Sequence, residues 1–168
     1  MTAAILIFLL LVGALIQGLI PAAAWLGLSK PPILPAVALY YALVHPRGLA
    51  VTAAILAGMI QDTMSLFPVG TSALCLVVFA LFVQETRETM FRDSVLTVAV
   101  LGAAMAAFTT LGLYGMLSLN TLSVEMPLWW VALKAGGNAL FGLGVAPVVW
   151  WVADTLERHV GLTTAEVR

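Results

Sequence analysis

Apolar residues run through this chain in long stretches that are separated by charged residues and by clusters of Pro and Gly. Stretches of this length predict transmembrane helices. The pattern predicts an all-α integral membrane protein of about six transmembrane helices, forming a single domain over 1–168. The predicted helices cover roughly 3–28, 32–44, 48–62, 70–84, 94–118 and 127–153.

The second, third and fourth stretches are short, at about 13 to 15 residues each. A helix of that length rises only ~20 Å, against a hydrocarbon core of ~30 Å. Each must therefore use flanking polar residues, thin the bilayer, or be shielded by neighbouring helices. The first helix is expected to bend or break near Pro21.

A rival arrangement joins the second and third stretches into one re-entrant hairpin. It would place Arg47 inside the membrane, where an unpaired Arg costs several kcal/mol. No acidic partner for Arg47 is evident from the sequence, so two separate crossings are preferred.

Composition agrees with lipid as the main solvent, since 62% of the 168 residues are hydrophobic and 9% are charged. Soluble domains carry about 25% charged residues. A net charge of -1 argues against nucleic acid as a partner, because phosphate binding needs a basic surface. Cys75 is a lone cysteine in an apolar run, which gives neither a disulfide framework nor a thiolate metal site. The first stretch lacks a preceding basic residue and is too long for a signal peptide, so it is expected to be retained.

Basic residues fall unevenly on the two sides of a six-helix arrangement. Lys30 alone lies on one side, and five arginines lie on the other: Arg47, Arg87, Arg92, Arg158 and Arg168. Because cytoplasmic loops carry the excess of Lys and Arg, both termini are predicted to be cytoplasmic.

Few residues could carry chemistry. His45 and His159 fall at predicted cytoplasmic helix ends with no carboxylate at ligand spacing. No catalytic, metal or cofactor site is expected, and the chain is predicted not to be an enzyme.

Asp62 and Lys134 are the exceptions. Asp62 ends the third helix, whose carbonyl end is already negative, so its carboxylate needs a cation or hydrogen-bond donors. Lys134 lies inside the sixth stretch and must snorkel or meet an acid. The hypothesis is an Asp62–Lys134 ion pair, with Lys30 as the alternative partner, and a structural role is preferred over proton or substrate transfer.

Two further patterns concern packing. The segment from Gly58 to Gly70 predicts a helix that ends near Asp62, a polar turn, and a new helix after Pro68. Small residues also recur at four-residue spacing, as in Gly102 with Ala106 and Gly142 with Ala146. Such spacing lets helices approach closely, either within the chain or against another protein.

The central half of the chain, from Lys30 to about Arg92, resembles the bacterial rod shape-determining protein MreD family. The resemblance consists of the proline-rich segment 30–35, the pair Tyr40-Tyr41, the turn 45–48, and a G-x-x-x-D followed by P-x-G. The positions that match the family's signature are Gly58, Asp62, Pro68 and Gly70.

The resemblance implies a non-enzymatic scaffold subunit of the cell-elongation complex in the bacterial inner membrane. Such proteins bind the bitopic protein MreC and through it connect MreB filaments with the wall glycosyltransferase and transpeptidase. Their fold is similar to that of the substrate-binding subunits of energy-coupling factor transporters. The alternative is therefore an uptake subunit that binds a vitamin-like molecule in a pocket with convergent polar groups. Candidates for such groups are Gln61, Asp62, Asn120, Glu125, Lys134 and Asn138.

Overall fold

The computed structural model describes residues 2–21, 29–65, 68–87, 94–119 and 127–160. Within these ranges the chain forms six α-helices, which confirms the all-α prediction. They are α1 (Thr2–Leu19), α2 (Ile33–Val44), α3 (Arg47–Thr63), α4 (Thr71–Thr86), α5 (Val95–Leu119) and α6 (Leu128–His159).

Three of these helices, α1, α5 and α6, are long and apolar enough to cross a membrane. The shortest is α2, whose 12 residues rise only ~18 Å. Every residue of α2 from Leu34 to Leu43 is buried, because the other helices surround it. Neighbouring helices therefore shield α2, which is too short to span the hydrocarbon core.

Successive helices run in opposite directions, so that the chain has two distinct ends. At one end, Glu157 of α6 contacts Tyr40 and His45 near the end of α2; we call this the Glu157 end. At the opposite end, Gln17 of α1 accepts a hydrogen bond from the Leu34 amide at the start of α2. Asp62 at the close of α3 lies at this second end, which we call the Asp62 end.

The turn between α2 and α3 lies outside the bundle interior at the Glu157 end. Arg47 forms an ion pair with Glu85, and both side chains are mostly exposed. The expectation that Arg47 lacks an acidic partner was wrong, because Glu85 lies far away in sequence and reaches the turn only through the packing of α4. The lack of a partner was the reason for rejecting the re-entrant hairpin, so that reason no longer holds, and two separate crossings stay a prediction.

Two predicted boundaries need correction. α1 ends at Leu19, just before Pro21, and residues 22–28 of the predicted first helix lie outside the described ranges. α6 continues past 153 to His159. The predicted end at 153 lies just before a charged segment, but a helix whose buried face continues can carry charge on its other faces.

The small residues at four-residue spacing pack within the chain, where α5 meets α6. A Cβ added to Gly102 would lie 2.3 Å from the Ala146 Cβ, and one added to Gly142 would lie 2.6 Å from the Gly102 carbonyl oxygen. The two backbones therefore touch at a point where only glycine fits.

We expect Gly142→Ala to lower the free energy of unfolding by about 1–3 kcal/mol, because its methyl group would push α5 away from α6. Gly136→Ala in the same helix is the matched control, since nothing lies within 4 Å of its added Cβ. Equilibrium unfolding in detergent micelles measures both. Equal stability of the two variants would contradict the close approach.

Candidate functional site

The signature segment forms a tight joint between α3 and α4. A Cβ on Gly58 would lie 2.2 Å from the Ala73 Cα and 2.4 Å from the Ala73 nitrogen. Because those atoms are backbone, no side-chain rearrangement could make room. Gly58 therefore allows the first turn of α4 to rest directly on α3.

Asp62 lies at the same joint and is 1% exposed. Its Oδ2 accepts a hydrogen bond of 2.7 Å from the Gly70 amide, and Oδ1 accepts one of 3.1 Å from the Ser72 amide. These amides belong to the start of α4, whose first N–H groups have no partner within the helix. The Asp62 carboxylate thus caps α4, where the helix dipole also favours negative charge.

The turn between the two helices depends on Gly70 and Pro68. Gly70 has φ of 102°, in the left-handed region that glycine adopts without strain. The Pro68 carbonyl accepts a hydrogen bond of 2.9 Å from the Thr71 hydroxyl. Together these residues direct the chain so that the α4 amides face Asp62.

Lys134 lies apart from this joint. Its Nζ donates a hydrogen bond of 3.2 Å to the Tyr114 hydroxyl and sits 5.6 Å from the centre of that ring. The structure does not bring Asp62 and Lys134 together, and among the described residues Lys30 forms no ion pair with Asp62 either. The sequence left open whether a cation or hydrogen-bond donors stabilise Asp62. In the structure, backbone N–H donors of α4 do so.

A second polar cluster at the Glu157 end was missed by the sequence analysis. Glu157 is 2% exposed, and its two carboxylate oxygens bind different partners, one in α2 and one just after its end. Oε2 accepts a hydrogen bond of 2.8 Å from the Tyr40 hydroxyl, and Oε1 lies 2.9 Å from His45 Nε2. His45 also stacks on the Tyr41 ring, with 4.8 Å between the centroids.

Two further side chains close the end of α2. Gln84 Nε2 donates to the carbonyl oxygens of Ala42 and His45, at 2.6 and 2.9 Å. The Arg87 guanidinium donates to the His45 carbonyl at 2.9 Å. These contacts satisfy carbonyl groups that a helix end leaves unpaired.

The sequence places no carboxylate at ligand spacing from His45, and the carboxylate that contacts it in the structure, Glu157, comes from 112 residues away. One signal could have found it. Gly142, Ala146, Ala153 and Glu157 are all buried and lie on one face of α6. The small-residue stripe therefore continues to Glu157, and Tyr40 and His45 at the end of an apolar helix need a polar partner.

Comparison with known proteins identifies the family. Residues 1–136 match the family model for the rod shape-determining protein MreD. The chain belongs to the MreD family. No curated protein and no solved structure gives a significant match.

Membership of the MreD family gives this protein a role in determining rod shape, and it is a multi-pass protein of the inner membrane. The joint from Gly58 to Gly70, the Tyr40–His45 segment and Lys134 all lie in the part that matches MreD. Glu157 lies beyond it. The likeness to energy-coupling factor subunits stays a prediction.

The polar residues that could bind a substrate in an uptake subunit do not all line the same pocket. Gln61, Lys134 and Asn138 line one pocket at the Asp62 end, whereas Asp62 itself faces α4. The other two, Asn120 and Glu125, lie outside the described residues. In the part of the chain that the structure describes, no group of three or more His, Cys, Asp or Glu side chains could hold a metal ion.

We expect Asp62→Ala to lower the free energy of unfolding by about 1–3 kcal/mol for each α4 amide that loses its acceptor. Lys134→Gln tests the ion-pair hypothesis in a double-mutant cycle. Since the two side chains share no partner, their effects should add to within about 0.5 kcal/mol. A larger coupling energy would support the Asp62–Lys134 ion-pair hypothesis.

For Glu157 and Tyr40 we expect the effects of the two substitutions on stability to be coupled and not additive. Glu157→Leu leaves the Tyr40 hydroxyl and His45 Nε2 buried without their partner, at a cost of about 1–3 kcal/mol for each group. Tyr40→Phe removes one of those groups, so the double variant should be more stable than the sum of the single effects predicts. Additive effects would show that the Tyr40–Glu157 hydrogen bond contributes nothing. Unfolding monitored in detergent micelles measures this coupling.

Proposed function

We propose that this MreD-family protein is a non-enzymatic membrane scaffold subunit of the cell-elongation complex, and that it binds the single transmembrane helix of an MreC-like protein. The observation that carries the proposal is an apolar groove of about 400 Å³ between α1 and α6. Its walls include Val12, Ile16, Val145 and Val148, and its floor is formed by α2 at Ile33 and Val37.

The groove suits a helix because its walls carry small and β-branched residues. Gly13 lies in the α1 wall and Gly144 in the α6 wall, and a Cβ added to Gly144 would meet nothing within 4 Å. Open space beside a glycine lets the backbone of a second helix come close, which is how helices associate in lipid. The valines at 145, 148, 149 and 152 form a ridge with helical spacing.

The chemistry of the groove also matches a bitopic partner. All of its lining residues are Leu, Ile, Val, Phe, Pro or Gly. An apolar transmembrane helix offers the same chemistry, because a single-pass segment must be apolar along its length to span lipid. A docked helix would join α1 to α6 and complete the packing around α2.

In this arrangement the signature joint has a supporting role. Gly58, Asp62, Pro68 and Gly70 hold α3 against α4, and that pair packs on α2 beneath the groove. The partner would then link this subunit to MreB filaments and to the wall glycosyltransferase and transpeptidase. The excess of arginines at the Glu157 end favours a cytoplasmic position for that end and for both termini.

Cysteine cross-linking tests the docking directly. In a Cys75→Ala background, Val148→Cys should form a disulfide with a cysteine scanned along the transmembrane segment of the co-expressed MreC-like protein. The matched control is Val78→Cys on α4, a valine that is 49% exposed against 61% for Val148. Cross-links should recur every three to four positions along the partner.

A second variant pair connects docking with function. Val148→Trp fills the groove and should reduce co-purification of the partner by about tenfold, with loss of rod shape, whereas Val78→Trp should change neither. Equal cross-linking at both valines would contradict a groove-specific interface. Co-purification of an ATPase pair in place of the MreC-like protein would instead support the uptake alternative.

A further inference from the structure

A second cavity, of about 390 Å³, lies at the Asp62 end, where five helices or their flanking residues meet. Its volume falls within the ~300–1,000 Å³ typical of small-molecule sites. We call it the polar pocket, because nine of its fourteen lining residues have polar side chains: Gln17, Lys30, Gln61, Ser65, Thr109, Thr110, Tyr114, Lys134 and Asn138. The residues that line the groove, by contrast, are all apolar.

The charge of the polar pocket has one sign. Lys30 and Lys134 both line it, and among the described residues no Asp or Glu does. The nearest buried acid on α3, Asp62, binds the amides of α4. Two lysines in the lining without a carboxylate give the pocket a positive potential, which favours an anionic ligand.

Two amide side chains point to hydrogen-bond donors on the same ligand. Gln61 Oε1 and Asn138 Oδ1 are buried oxygen atoms without a hydrogen-bond partner. The Asn138 amide is held in place, because its Nδ2 donates 2.8 Å to the Thr110 hydroxyl. Buried acceptors of this kind normally have a partner, so each calls for an O–H or N–H group.

None of these groups is needed to close a helix end. Asn138 lies in the interior of α6, and the N–H groups at the start of α4 are bound by Asp62. A polar or charged side chain inside the hydrocarbon region is costly and marks function more often than packing. Gln84 Oε1 also lacks a partner but lies at the Glu157 end, whereas Gln61, Lys134 and Asn138 all line the same pocket.

We propose that the polar pocket binds a small anion, bearing a phosphate or carboxylate, that also carries hydroxyl or N–H donors. The anionic group contacts Lys134 and Lys30, and the donors reach Gln61 and Asn138. The same chemistry occurs in a free solute and in the headgroup of an anionic phospholipid. The polar pocket and the groove share no lining residue, so this proposal is tested separately from the proposed scaffold function.

Ligand-dependent thermal stability of the purified full chain tests the proposal in nanodiscs of phosphatidylcholine. The probes are glycerol phosphate, for the free solute, and short-chain phosphatidylglycerol, for the headgroup. Each offers a phosphate and hydroxyl groups. Short-chain phosphatidylcholine, whose headgroup is zwitterionic and lacks hydroxyls, is the control.

At least one anionic probe should raise the melting temperature in a saturable way. Lys134→Gln should weaken that binding about tenfold or more, because a charge-assisted hydrogen bond is lost. Lys134→Arg should retain it to within a few-fold. Arg158→Gln removes an exposed charge at the opposite end of the chain and should leave binding unchanged.

Asn138→Asp provides a second variant should Lys134→Gln not fold, since it places a like charge beside the anion and should also weaken binding about tenfold. Binding of glycerol phosphate assigns the site to a free solute, and binding of phosphatidylglycerol alone assigns it to a headgroup. The proposal is overturned if neither probe binds, if phosphatidylcholine binds equally, or if the Lys134 and Asn138 variants bind as the wild type does. Cross-linking at Val148 is unaffected by any of these results, so the scaffold proposal is judged on its own.

Discussion

The bundle depends on one constraint: backbone polar groups inside a membrane need partners from the protein, because lipid supplies none. Helix α2 shows this most clearly. It is too short to span the hydrocarbon, and it is buried from Leu34 to Leu43. Its ends are completed by other helices, with Gln17 accepting from the Leu34 amide and Gln84 donating to the Ala42 carbonyl. A short central helix is stable here because its neighbours replace both lipid and water.

The same constraint explains the segment from Gly58 to Gly70, whose pattern resembles the MreD signature. Asp62 completes the start of α4, and Gly58 allows that start to lie against α3. The carboxylate and the glycine therefore act together, since the amides reach Asp62 only if the helices touch. This segment therefore forms a structural joint, and the proposed partner-binding groove lies elsewhere, between α1 and α6.

Polar residues in this chain fall into two groups once the helix ends are accounted for. Asp62, Gln84 and Glu157 bind backbone or side-chain groups of α2 and α4. Lys134 and Asn138 instead face the polar pocket. Each of these two side chains also donates a hydrogen bond to α5, to Tyr114 and Thr110 respectively, so they combine packing with a position in the pocket wall. An apolar groove and a polar pocket on one small subunit offer separate sites for a helix and for a solute or headgroup.

The sequence by itself determined the helices, their order and the family. Apolar stretches interrupted by charge mark helices because the bilayer imposes a length and a polarity on each segment. All six predicted helices begin within one residue of the observed start. The signature was also readable, since its glycines and Asp62 lie close together along the chain. Only the tertiary structure decided the partners: Glu85 for Arg47, Glu157 for Tyr40 and His45, and Tyr114 for Lys134. These pairs join different helices, and hydropathy carries no information about which helix faces which.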